Sequence, residues 1–178
     1  MIKYFKIFEG VGRIPRKSIN GIYYHGFSLD QESENTDLFN ELKILYDWEA
    51  IWVTEEETIS EEFSEWKMNN DDDIKVVYQV QVKSTGIADI DYQTSQNILD
   101  EWGISDFRES IDILKRQGFK GWCTPGSIDN HQYEDIALFY PNEQTKIVSV
   151  KLFMNDDWSD YMDLDKAQEI INQFYSEG

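Results

Sequence analysis

Few residues in this chain are suited to chemistry. Its 178 residues include two histidines, His25 and His131, and one cysteine, Cys123. They stand at no spacing used by a tetrahedral zinc site, so no metal is expected. Cys123 with His131 could form an activated thiol, but an isolated cysteine in a strand-like segment is ordinarily a small packed hydrophobe, and we read it so. Gly10-Val11-Gly12 lacks the third glycine and the βαβ setting of a dinucleotide fingerprint, and no phosphate loop occurs. Ser64-Glu65-Trp66-Lys67 and Lys83-Ser84-Thr85-Gly86 imitate penicillin-binding motifs in a chain far too short for that fold. Four segments remain: Tyr24-His25-Gly26-Phe27-Ser28, Ile51-Trp52-Val53-Thr54, Gly118-Phe119-Lys120-Gly121-Trp122, and Glu134 to Pro141. The last opens with two adjacent acids. A carboxylate there can stabilise positive charge or accept a proton, or it can simply be the solvated start of a strand. Alternation along a strand lets only one of Glu134 and Asp135 face a given cleft.

These segments must be positioned by a mixed set of elements. Short β-branched or aromatic runs predict strands over Ile19–Phe27, Ala50–Val53, Lys75–Lys83, Lys120–Thr124, Glu134–Tyr140 and Lys146–Phe153. Helical spacing of Leu38, Leu42, Leu45 and Tyr46 predicts a helix over Asp37–Asp47. Thr54-Glu55-Glu56-Glu57 has the form of a capping box, with Ile59, Phe63 and Trp66 on one face of the helix that follows. Further helices are expected over Ser95–Trp102 and Asp106–Gln117, stopped by Gly103 and Gly118, and over Leu164–Tyr175. The run Asn69 to Asp73 reads as a loop. Strands and helices do not alternate strictly, which predicts an α+β domain.

In order and spacing, the four segments resemble the ADP-ribosyltransferase superfamily, in its His-Tyr-Glu branch of poly(ADP-ribose) polymerases and small bacterial and phage proteins. Tyr24-His25-Gly26 fits the aromatic-His-Gly end of that branch's opening strand. Trp52 takes the aromatic strand position of the second motif, and Ser60 and Phe63 take the small and aromatic positions of its helix. Gly118-Phe119-Lys120-Gly121 stands where small phage relatives carry a Gly-aromatic-Asp-Gly turn. An acid-led strand ending aromatic-x-Pro and the strand Lys146-Ile147-Val148-Ser149-Val150 follow in the same order. The resemblance covers residues 19–153. It implies an ADP-ribosyltransferase-like split β-sheet core with flanking helices, in a single domain spanning 1–178 that ends in the 164–175 helix.

It also implies NAD as cofactor and cleavage of the nicotinamide–ribose bond. That cleavage builds an oxocarbenium-like cation, as glycoside hydrolysis does. A carboxylate beside the ribose would stabilise that charge, orient the 2′-hydroxyl and take a proton from the acceptor. Ungapped alignment favours Asp135 for this role. Side-chain length favours Glu134, and the usual Glu of the family tips the preference to Glu134 if a one-residue bulge adjusts the register. By the same resemblance His25 would bond the adenosine ribose and the Gly26 backbone would hold the nicotinamide amide, glycine letting a ligand approach closely. Trp52 and Phe63 would flank the nicotinamide ring, with Ser60 a hydrogen-bonding partner. Tyr133 and Tyr140 are read as structural. Trp52 for Tyr, Phe63 without a hydroxyl and Lys120 for Asp depart from the pattern, and nothing marks an elongation site, so mono-transfer is expected.

Composition bounds the partners. With 35 acids against 16 bases the net charge is −19, which disfavours direct nucleic-acid binding and favours a protein target with a basic surface. Nine acids and one base, Lys67, lie between Glu55 and Asp73, and a second acidic stretch runs from Asp156 to Asp165. No apolar run reaches the ~18–20 residues of a membrane span, and MIKYFKIFEG is too short and charged for a secretory signal. A single cysteine fits a reducing, cytoplasmic setting. The expectation is an NAD-dependent mono-ADP-ribosyltransferase acting on a protein, in the manner of a phage effector against host machinery or a defence system. The competing expectations are a non-enzymatic acidic protein that occludes a basic nucleic-acid-binding partner, and NAD hydrolysis without an acceptor.

Overall fold

Strand pairing around one long central strand sets the architecture. In a computed structural model that describes residues 14–29, 37–47, 50–65, 74–105, 107–128 and 131–177, seven strands form one mixed sheet. They are β1 (Arg16–Leu29), β2 (Ile51–Val53), β3 (Ile74–Asp89), β4 (Gly121–Ile128), β5 (His131–Leu138), β6 (Thr145–Met154) and β7 (Asp157–Trp158). The helices are α1 (Leu38–Asp47), α2 (Glu57–Glu65), α3 (Tyr92–Trp102), α4 (Ile111–Arg116), α5 (Pro141–Gln144) and α6 (Leu164–Glu177), with a 3-10 turn at Phe107–Ser110 before α4. The molecule is α+β, and no helix among the described residues is long and apolar enough to cross a membrane.

The strand order is β2-β5-β4-β3-β6-β7, with β1 also paired to β3. β3 serves two groups of strands. Lys75 to Val82 pair antiparallel with β6, while Ile87 to Asp89 pair parallel with Gly121 to Cys123 of β4. A bridge between Tyr24 of β1 and Thr54, just past β2, then links the two ends, so that β1, β3, β4, β5 and β2 close on one another.

Burial divides between two clusters. One joins Ile19, Tyr23, Val80, Ile136 and Leu138 to Leu38 and Leu42 of α1 and Ala167 and Ile171 of α6. The other gathers Trp122, Ala137 and Phe139 under Ile98 of α3 and Ile111 and Leu114 of α4. Lys151 of β6 is buried and hydrogen-bonds Glu57 and Glu61, which pins α2 to the sheet.

The expected elements form, with instructive differences. The capping box at Thr54 forms only in part, Thr54 Oγ1 accepting from Glu56 N at 3.3 Å. The Thr54 backbone also exchanges two hydrogen bonds with Tyr24, at 2.8 and 3.0 Å, and α2 begins at Glu57. α3 starts three residues before the expected Ser95, because the Asp91 carboxylate caps it by accepting from Thr94 N at 2.6 Å. Gly103 ends it in the left-handed conformation, φ 64°. The helix expected over 106–117 is a 3-10 turn followed by the shorter α4. β4 runs through Pro125 to Ile128, beyond the three residues that β3 pairs, where a missing N–H breaks no ladder on that edge. The expected loop at 69–73, Trp66 and the charged opening residues lie outside the described residues.

Candidate functional site

The Tyr24–Thr54 bridge brings the Tyr24-His25-Gly26 segment beside β2, and α2 then packs over the junction. His25 Nδ1 lies 2.6 Å from the Trp52 carbonyl oxygen. A carbonyl only accepts, so the imidazole donates from Nδ1, which orients the ring. Gly26 is required by a close approach within the chain. A Cβ there would sit 1.8 Å from the Ser60 carbonyl oxygen, so glycine is what lets α2 dock on β1. Ser60 itself is fully buried, and its hydroxyl finds no hydrogen-bond partner among the described residues.

On the far side, β4 and β5 pair in unbroken register from Gly121 opposite Leu138 to Ile128 opposite His131. Tyr133 and Asp135 therefore share one face of β5, with Trp122 and Thr124 on the same face of β4 and Trp52 on that of β2. α3 and the 3-10 turn face them with Tyr92, Ser95, Gln96, Leu99 and Arg108. Between these walls lies a cavity of about 600 Å³, within the ~300–1,000 Å³ usual for small-ligand sites.

The walls are strongly aromatic. Phe63 and Tyr133 meet edge to face at 5.7 Å, and the Arg108 guanidinium lies 5.3 Å from the centre of a Trp52 ring. Burial pushes the Asp135 carboxyl up to about 6, with the positive charge of Arg108 pulling the other way. A carboxylate so placed changes charge near neutrality, as suits proton transfer.

Of the residues singled out from the sequence, His25, Gly26, Trp52, Phe63 and Asp135 line this one cavity. Ser60 does not, and its burial removes it as a ligand contact. The preference for Glu134 is reversed. With no bulge in β5, Glu134 points to the opposite face, where Lys17 Nζ donates to it at 2.6 and 2.7 Å. Tyr133, read as structural, lines the cavity; Tyr140 is exposed and does not. Tyr92, Arg108, Trp122 and Thr124 were given no role from the sequence. The period-2 pattern of β5 and β4 could have marked Tyr133, Trp122 and Thr124, whereas nothing local marks Tyr92 or Arg108.

Cys123 and His131 are not partners. Cys123 is buried beside Lys17 and Glu134, and its thiol is pushed up to about 12, chiefly by burial and then by the Glu134 charge. His131 Nε2 instead lies 2.5 Å from Glu56 Oε2 at the surface. Among the described residues no cluster of three or more His, Cys, Asp or Glu is placed to hold a metal. No protein-family model, no curated protein and no solved structure matches this chain.

Proposed function

We propose that this chain is an NAD-dependent mono-ADP-ribosyltransferase that modifies a protein target bearing a basic surface, in the manner of a phage effector against host machinery or a defence system. One observation carries the reading: segments from β1, β2, α2 and β5, far apart in sequence, bring His25, Trp52, Phe63 and Asp135 to the walls of one cavity. Its volume and aromatic walls suit a dinucleotide, and among the described residues it offers one carboxylate and one guanidinium.

Bound NAD would supply an ADP-ribosyl group, released as the bond to nicotinamide breaks with positive charge gathering on the ribose. The Asp135 carboxylate opposes that charge, can hold the 2′-hydroxyl, and can take the acceptor's proton. His25, oriented through Nδ1 by the Trp52 carbonyl, serves ribose binding. Trp52 and Phe63 supply flat apolar faces for a ring.

The competing acidic-binder reading loses weight to pairing within the chain. Of the six described acids between residues 55 and 65, five are engaged: Glu55 with Tyr23, Glu56 with His131, Glu57 and Glu61 with Lys151, and Glu65 with Lys75. The deciding experiment incubates labelled NAD and bacterial lysate with wild type and with Asp135→Asn. A labelled protein band that disappears in the variant supports transfer. Neither label nor nicotinamide release from the wild type would sink the reading, and free ADP-ribose made without lysate would indicate hydrolysis instead.

A further inference from the structure

We propose that Arg108 reads the phosphates of the nucleotide held in this cavity, so that the site selects pyrophosphate-bearing nucleotides over neutral nucleosides. The inference rests on the cavity being a nucleotide site and adds a residue that the sequence motifs leave without a role. Arg108 is the one Lys or Arg among the described residues that line the cavity. A chain of net charge −19 repels a nucleotide's phosphates as a whole, so a local cation is required where they are to sit. Guanidinium suits that duty because its planar fork can donate two parallel hydrogen bonds to phosphate oxygens, which an ammonium cannot.

The placement agrees. Arg108 stands on the 3-10 turn, exposed and lining the cavity, with its guanidinium 5.3 Å from the centre of a Trp52 ring. Its charge reaches Asp135. In a nucleotide the anomeric carbon and the carbon bearing the 5′-phosphate arm flank the same ring oxygen, so the phosphate lies a short arm away from the reacting carbon. A cation that lines the same cavity as the carboxylate can take the phosphate while the carboxylate faces the anomeric carbon. A ring lying against Trp52 would complete the arrangement.

The test is binding, read by tryptophan fluorescence or calorimetry on the full chain, with ADP-ribose and adenosine as probes. Wild type, Arg108→Gln and Arg108→Lys are compared after circular dichroism shows them folded; should Arg108→Gln not fold, Arg108→Lys carries the comparison. Wild type is expected to bind ADP-ribose more tightly than adenosine. Arg108→Gln is expected to weaken ADP-ribose roughly tenfold to hundredfold, as for a lost charged hydrogen bond, and to leave adenosine unchanged. Arg108→Lys should fall between, having charge without the fork. The proposal is overturned if wild type shows no preference, if it binds neither probe, or if the variants weaken both probes equally or not at all. Turnover is a separate readout. A wild type that prefers ADP-ribose through Arg108 yet transfers nothing overturns the transferase reading alone, whereas a transferase whose Arg108→Gln variant keeps the preference overturns this inference alone.

Discussion

Glu134 and Asp135 are chain neighbours that the sheet places in opposite environments. Glu134 accepts from the Lys17 ammonium at 2.6 and 2.7 Å on one face, while Asp135 lines the aromatic cavity on the other. A one-residue shift of β5 would exchange them, and the continuous pairing with β4 holds the register.

Exchanging each for its amide separates the two roles. Asp135→Asn is expected to lower NAD turnover by roughly 10²–10⁴-fold, whereas Glu134→Gln stays within a few-fold of wild type. Nicotinamide release by both variants under saturating NAD measures this. Equal losses would contradict the assignment of Asp135.

Asp135 should also make stability depend on pH. Its carboxyl is raised from 3.8 to about 6, so the folded state holds the proton more tightly than the unfolded chain. The stability it contributes is complete below about pH 3.8 and is lost as pH rises through about 6. Ionised Asp135 then costs up to about 3 kcal/mol. Asp135→Asn is accordingly expected to be more stable than wild type above pH 6, with the gap closing below pH 4, in urea titrations across that range.

Gly26→Ala tests how α2 is docked. The added methyl would fall 1.8 Å from the Ser60 carbonyl oxygen, a backbone atom that cannot rotate aside. We expect a loss of roughly 3 kcal/mol or more in denaturant unfolding. Ligand binding should weaken with it, because the helix that shifts also carries Phe63.

Cys123 should be inert. Burial and the Glu134 charge push its thiol up to about 12, so almost no thiolate exists at pH 8. Iodoacetamide is expected to leave the native protein unlabelled and to label it once unfolded. Cys123→Ala should keep its turnover, which rules on any nucleophilic role.

Most elements were legible because their signals are local. The β-branched run at Lys75–Lys83 announced β3, and the apolar spacing along Leu164–Tyr175 announced α6. Position and type of His25, Trp52, Phe63 and the Glu134-Asp135 pair were likewise visible in the sequence, as was the α+β class. What tertiary structure alone decided was direction. Which acid faces the cavity followed from the β4–β5 register, a pairing between distant residues that no propensity encodes. Thr54 had the chemistry of a helix cap and its hydroxyl accepts from Glu56 N, but the bridge its backbone makes with Tyr24 carried no local signal. Gly26 and Ser60 were each expected to touch a ligand, yet the contact between them is backbone against a would-be Cβ, and the serine is sealed. Arg108 carried no local signal at all, because it gains its meaning only from standing across a cavity from Asp135 and beside Trp52. Local sequence sets which residues can form an element and what chemistry they hold; long-range strand pairing and packing set which of them meet.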